Sequence, residues 1–362
     1  MTTAYIPPSV HATLLATIRR DRLLPVMGDV TVQPRQRVEA TDMVARALVA
    51  EKHLLINYAR ELGVKPEKAD SYLLKAEGEM LKKGENIAVR KGALGLGKRV
   101  LRSPVDGRIL MLTGRGEALT AAYKTPLELQ AGMPGEIVNI IEHWGVTIET
   151  SGALCEGVWG NGREGYGELV IVGSELNTAL TAEAIKMDMR GKIVAIGTLT
   201  EEAPLKKVAE VRVRGVIFGS VPLRLMPAIQ KLNLPVMVAD GFHDTGFGEP
   251  GFVLLEGNQG RGAWLHAQRF DFIEGQRPEV IIPLPGPSTP PLPPANGEAV
   301  MAGKRVQVVR GAETGQIGTV VAVSDRPQTA PSGLRARLAS IDLATSPGAL
   351  IKVPVMNVEN LE

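Results

Sequence analysis

The spacing of apolar positions changes along this chain, and each change marks a different kind of element. Residues 8–20, PSVHATLLATIRR, gather Leu14, Leu15 and Ile18 on one side of a helical wheel behind a Pro-Ser start. That pattern predicts an N-terminal helix within residues 1–23. From Leu24, LPVMGDVTVQPRQRVEATDMVARALV has short alternating runs broken by Gly and Pro, which predict short strands. Residues 53–77, HLLINYARELGVKPEKADSYLLKAE, return to helical spacing through Leu54, Leu55, Tyr58, Ala59 and Leu62 until Gly63. They read as an inserted helical pair packed on a core.

From Gly167 the apolar positions become continuous: ELVIVGS, KIVAIGT, GVIFGSV and LPVMVADG. Stretches such as TALTAEAIKMDMR and PLRLMPAIQKLN separate them as helices. Apolar runs alternating with helices predict a parallel sheet of four strands over 167–258. Residues 259–298 read as a linker, proline-rich in PLPGPSTPPLPPANG at 283–297. Alternation then resumes over 299–362, where Val306 and Val308 precede Gly311, Gly315 and Gly318, and Val320 and Val321 restart a strand.

The first half also repeats itself. Pro25-Val-Met-Gly28-Asp-Val30 matches Pro104-Val-Asp-Gly107-Arg-Ile109, and Met133-Pro-Gly135-Glu-Ile137-Val138 is a weaker copy. Val38 to Ala45 likewise matches Leu81 to Ala88. On KKGENIA, SPVDGRIL and AGMPGEIV, residues 24–160 resemble the barrel-sandwich hybrid fold of biotinyl and lipoyl carrier domains, so a hybrid barrel is expected over 24–166 with its helical insertion at 53–77. The carriers' Met-Lys-Met hairpin has no counterpart at the matching turn. Lys186 precedes a Met in IKMDM but lies in a stretch read as helical, so no covalent biotin or lipoate is expected. GKRVQVVRGAETGQIGTVVAV resembles the KOW motif of NusG-type elongation factors and ribosomal proteins. That resemblance implies a small SH3-like barrel over 299–362 and contacts with RNA or with transcription and translation machinery.

Composition narrows the chemistry. The 362 residues carry a net charge of only +2, aromatics are 4%, and Cys155 is the single cysteine. No intramolecular disulfide or thiolate metal cluster can be built from one thiol. No basic region followed by an apolar core opens the chain, and no apolar run reaches the roughly 20 residues that span a bilayer. The chain therefore reads as soluble and cytoplasmic.

GALGLGKR at 92–99 has phosphate-loop spacing, but Arg99 stands where the magnesium-holding hydroxyl belongs. VLRSPVDGRIL follows, and Pro104 with Asp106-Gly107 bars the long helix such a loop needs. GNGREG at 160–165 has dinucleotide spacing yet precedes a strand instead of following one, so it reads as a joint between domains. The five histidines include no two within four residues of each other, which leaves no local zinc spacing. His243 and Asp244 are sequence neighbours and are not thereby a dyad. No catalytic set, metal site or cofactor is expected.

Charge points elsewhere. Between Met80 and Arg115 nine cations face only Glu85 and Asp106, a local excess of +7. Such an excess on a near-neutral chain marks a candidate polyanion face. The candidate contacts are Lys82, Lys83, Arg90, Lys91, Lys98, Arg99 and Arg102, joined by Lys304, Arg305 and Arg310 in the tail. A second candidate is the set of strand ends in the α/β region. There Ser174, Thr198, Ser220 and Asp240 end apolar runs, where open α/β sheets bind ligands; turns into capped helices would need the same residues.

The resulting expectation is a multidomain, mainly β protein with a small α/β domain. Its expected role is a non-catalytic adaptor that binds RNA or a nucleoprotein machine in transcription or translation. A small-ligand-binding or enzyme-accessory protein using the α/β strand ends, and a structural assembly component, are the alternatives.

Overall fold

The computed structural model describes residues 12–91, 97–123, 125–271, 276–285 and 299–360. It is mainly β, with 47% of the described residues in strands and 13% helical. Among the described residues no helix is long and apolar enough to cross a membrane.

One large mixed sheet organises the centre. Its parallel part runs in the order Val236–Gly241, Gly215–Ser220, Ile193–Thr198, Arg163–Val172. Both middle strands are buried at every position, because helices cover both faces: Ala203–Val211 and Met226–Ile229 on one, Glu249–Glu256 on the other. That double cover is why these strands read as continuous apolar runs. Beyond Arg163–Val172 the sheet turns antiparallel through Gly262–Ala267, Glu279–Pro283 and Gly145–Glu156.

Several expectations change here. Residues 12–23 are not a helix but a twelve-residue strand, Ala12–Leu23, paired along nearly all of Gly145–Glu156. Its burial alternates at period two from Ile18 onward: Ile18 and Arg22 are buried and Arg20 is half-buried, while Arg19, Asp21 and Leu23 between them are exposed. Pairing with a long partner strand overrides the local helical spacing. Residues 8–11 of the expected helix lie outside the described residues. The 259–298 segment is not a linker throughout, since Gly262–Ala267 and Glu279–Pro283 are central strands. Residues 286–298 lie outside the described residues. GNGREG is no joint either: Arg163–Val172 runs straight through the expected boundary at 166/167. TALTAEAIKMDMR holds only a single 3-10 turn, Met187–Met189.

The insertion is also larger than expected. Met43–Ala47 pairs with Leu127–Gln130, so everything between them leaves and rejoins one small sheet. The excursion has its own core of Ile56, Tyr58, Leu62, Leu81, Ile87 and Ile109. His53–Asn57 belongs to the strand Ala50–Asn57, and helix is confined to Tyr58–Leu62, Pro66–Ala69 and a 3-10 turn at Asp70–Tyr72. Asn57 caps the first helix by accepting from the Arg60 N–H at 2.8 Å, and Gly63 closes it at φ 64°.

The sequence repeats share a physical cause. A Cβ on Gly28, Gly107 or Gly135 would stand 2.2, 2.1 or 2.4 Å from a backbone carbonyl oxygen, of Arg46, Ala121 and Glu149 respectively. Each copy starts a strand whose glycine lies against the carbonyl of the strand it pairs with. The C-terminal residues form a five-stranded antiparallel sheet around Val306, Val308, Val320, Ile341 and Val358.

Candidate nucleic-acid interface and a buried polar network

The basic stretch folds largely into one hairpin, Asn86–Lys91 paired with Lys98–Arg102. Register sets Arg90 opposite Arg99 and Lys91 opposite Lys98. Like charges directly opposite destabilise a ladder, so each pair needs a reason.

The two pairs point to opposite faces and have different reasons. Arg90 donates from Nη1 to the carbonyls of Leu62 at 3.1 Å and Gly63 at 2.8 Å, the C-terminal end of the Tyr58–Leu62 helix. Arg99 shares that face: a Cβ on Gly63 would lie 2.5 Å from its Nη1. Cations there satisfy open carbonyls and suit the helix dipole. Arg90 is thus a structural cap, which corrects its assignment to phosphate.

Lys91 and Lys98 project from the other face beside Val89 and Val100, and strand alternation brings Arg102 to the same side. The acids of the stretch are engaged elsewhere. Glu85 pairs with Lys75 at 2.9 Å and accepts from the Lys82 N–H, while Asp106 accepts from the Lys83 N–H. Among the described residues no carboxylate lies within 4.0 Å of the Lys82, Lys83, Lys91, Lys98 or Arg102 side-chain nitrogens. Gly92 to Leu96 of the glycine-rich segment lie outside the described residues, and Lys98 opens a strand, not a helix.

In the tail, Arg305 pairs with Glu249 at 2.5 Å, so it docks the C-terminal sheet on the α/β layer instead of facing solvent freely. Lys304 also has a partner. Arg310 is exposed at a cavity of about 90 Å³ shared with Asp240, Gln307 and Glu359.

The α/β strand ends are covered by the chain itself. A Cβ on Gly197 would meet the Leu176 carbonyl at 2.4 Å, and one on Gly219 the Phe247 nitrogen at 2.3 Å. Ser220 is fully buried and accepts from the Gly246 N–H at 2.8 Å; Asp240 accepts from the Gly248 N–H at 2.9 Å. Thr198 is buried as well, and only Ser174 opens to a surface hollow, beside Leu176 and Thr245. The four residues therefore do not converge on one open crevice: three of them anchor or underlie covering loops. His243 Nδ1 lies 2.6 Å from Thr245 Oγ1, a local loop contact, while its Nε2 is buried with no hydrogen-bond partner.

The sequence reading missed a polar network at the antiparallel side of the large sheet. Glu156, Glu279, His266 and Glu164 occupy one register row across four neighbouring strands and share a face. Arg20 donates from Nε and Nη2 to both oxygens of Glu279, at 2.7 and 2.5 Å. Burial pushes the Glu279 carboxyl upward, but the hydrogen bonds and charge of Arg20, joined by those of His266, outweigh it and hold it below the ordinary carboxylate range. His266 stacks on Trp264 at 4.6 Å, and the Arg22 guanidinium stands 5.0 Å from that indole. Arg22 also donates to Glu164 at 2.7 Å, and Trp264 Nε1 donates to the same carboxylate at 3.2 Å. A cleft of about 480 Å³ opens over this row, and its described lining contains no hydroxyl or thiol to act as a nucleophile. The network ties the first strand to the sheet. Its signal was alternation in IRRDRL, where Arg20 and Arg22 follow Ile18 at a period of two.

Cys155 is buried, and burial pushes its thiol well up, so it packs as an apolar group. Among the described residues no three of His, Cys, Asp or Glu converge to hold a metal ion. No family model matches the chain, and no curated protein is similar to it at a significant level.

Proposed function

We propose that this protein is a non-catalytic adaptor that binds RNA through the outer face of the 86–102 hairpin. The observation that carries the reading is the facing pair Lys91 and Lys98, extended by Arg102 and preceded in sequence by Lys82 and Lys83, with no carboxylate among the described residues within 4.0 Å of their side-chain nitrogens. A solvated ladder gains nothing from opposing like charges, whereas a polyanion brings its own countercharge. The contacts are to the phosphate backbone, so affinity depends on salt and little on sequence. The C-terminal sheet is read here as an SH3-like KOW module that adds protein or RNA contacts within transcription or translation machinery. A ligand site at the α/β strand ends is disfavoured because loop segments 175–179 and 245–248 cover them.

Fluorescence anisotropy with single-stranded RNA over a salt series tests this. Five phosphate contacts give a slope of log K against log salt of about −3 to −4. Replacing Lys91 and Lys98 with Gln lowers the magnitude of that slope by about 1.4. No binding at low salt, or binding indifferent to these lysines, sinks the reading.

A further inference from the structure

A groove of about 610 Å³ lies where the chain crosses between the small sheet and the inserted module. It crosses there twice: Ala47 leads into Ala50 through two residues, and Tyr123 returns to Leu127. Both walls are therefore joined by short covalent connections, which keep them adjacent.

Its lining combines two chemistries. Val26, Met27 and Leu48 on one wall and Leu110 on the other are each more than a third exposed, so four large apolar side chains meet water around one concavity. Contiguous exposed apolar surface in a groove of this size is the usual character of a small-molecule site. Small residues complete the lining: Gly28, Ala47, Ala50 and Ala121. Two guanidinium groups then approach from different sheets. Arg46 lies in a register row with Asp29 and Glu128, and its nearest carboxylate is Asp29 at 3.8 Å. Arg108 lies in a row with Ala121 and His53, and among the described residues it has no carboxylate within 4.0 Å. Tyr123 adds a phenol at the rim. Cations outnumber the lining carboxylates two to one, with His53 in addition.

The geometry points to a binding site for a small amphipathic anion, with its apolar body against Val26, Met27, Leu48 and Leu110 and its carboxylate or phosphate between Arg46 and Arg108. Charge complementarity decides the sign of the headgroup, and the apolar walls exclude a purely polar anion such as inorganic phosphate. The site is independent of the RNA reading, since none of its residues lies on the Lys91/Lys98 face.

Titration calorimetry on the full chain with dodecanoate and with dodecyl phosphate, each below its micelle concentration, tests the site. Saturable one-to-one binding of at least one of them is expected, and the stronger of the two identifies the headgroup. Arg108→Gln and Arg46→Gln should each weaken binding about tenfold. Leu110→Glu, at an exposed position, should abolish it. Neutral dodecyl maltoside and inorganic phosphate should bind at least tenfold more weakly. RNA affinity should be unchanged by Leu110→Glu, and dodecanoate affinity unchanged by Lys91→Gln with Lys98→Gln. Absence of saturable binding by both anions, equal binding of the neutral amphiphile, or indifference to both arginine replacements overturns the proposal.

Discussion

Arg20 and Glu279 are 259 positions apart and form a two-pronged ion pair in which the Glu279 side chain is only 3% exposed. The pair joins the first strand to the centre of the large sheet. Removing one partner of a buried pair leaves an uncompensated charge, a loss of about 3–5 kcal/mol. Glu279→Gln should therefore lower the unfolding free energy by about 3 kcal/mol, measured by urea titration at neutral pH. The pH dependence has a definite sign. A carboxylate held low in the folded state stabilises fully above its unfolded value of about 4.3 and loses that contribution as pH falls toward the folded value. Wild-type stability should drop below about pH 4.3, and the Glu279→Gln variant should show a flatter acid limb.

The two like-charged pairs of the hairpin should separate on mutation. Arg90 holds two carbonyls at the end of the Tyr58–Leu62 helix, so Arg90→Ala should cost about 1–2 kcal/mol and leave RNA affinity at high occupancy nearly unchanged. Lys91→Gln relieves the repulsion with Lys98, so it should stabilise slightly, by about 0.5 kcal/mol, while weakening RNA binding. Thermal denaturation and anisotropy on the same two variants check both halves. Equal behaviour of the two variants would contradict the split between faces.

Much of the architecture was legible because local patterning and tertiary need agree there. KIVAIGT and GVIFGSV are apolar throughout since helices cover both faces, and Gly63 stops a helix where the sequence has it. The repeats were legible because a carbonyl leaves no room for a side chain at Gly28, Gly107 and Gly135. What was not legible depends on distant partners. Ala12–Leu23 reads as helical until Gly145–Glu156 is beside it, and EVIIP reads as linker until it is placed between two strands. The candidate hairpin was visible as a run of charge, but which cations face the helix and which face solvent follows from register alone. The alternation in IRRDRL marks the side that Arg20 and Arg22 share, but neither the Glu279 partner of Arg20 nor the Arg46/Arg108 groove has a local signature, because each joins elements that only the fold brings together.

His243 sits under the C-terminal sheet. A Cβ on Gly315 would lie 3.3 Å from its ring and 2.7 Å from Thr245 Oγ1. Burial lowers the His243 pKa, and the charge of Asp244 and the Asp240 backbone only partly oppose it. A base held low in the folded state is neutral there, so its contribution is complete above the unfolded value of about 6.5 and is lost as pH falls below it. Melting temperatures should therefore decline as pH falls below about 6.5, a decline that begins above the onset of the Glu279 effect at about 4.3. His243→Gln should flatten that decline, and an unchanged pH profile in the variant would show that another group titrates.

Gly107 offers the sharpest test of the repeat. Its missing side chain lets the 107–112 strand run against Ala121, whose carbonyl oxygen would lie 2.1 Å from a Cβ and whose carbonyl carbon would lie at 3.1 Å. Neither atom can yield as a flexible side-chain end could, because both belong to the paired strand Glu117–Tyr123. Gly107→Ala must therefore shift the ladder, at a cost of about 1–3 kcal/mol typical of overpacking. The same reasoning applies to Gly28 against the Arg46 carbonyl. Gly84, by contrast, meets nothing within 4 Å and adopts φ 85° at an exposed turn, so Gly84→Ala carries backbone strain without a collision. Strain of that kind costs about 1 kcal/mol and is relieved by Gly84→Asn, a residue that tolerates the left-handed region. Gly107→Asn should gain nothing over Gly107→Ala, since the obstacle there is a carbonyl and not a dihedral angle. Urea unfolding of the four variants distinguishes the two causes: rescue by Asn at Gly84 and its absence at Gly107 is the expected result.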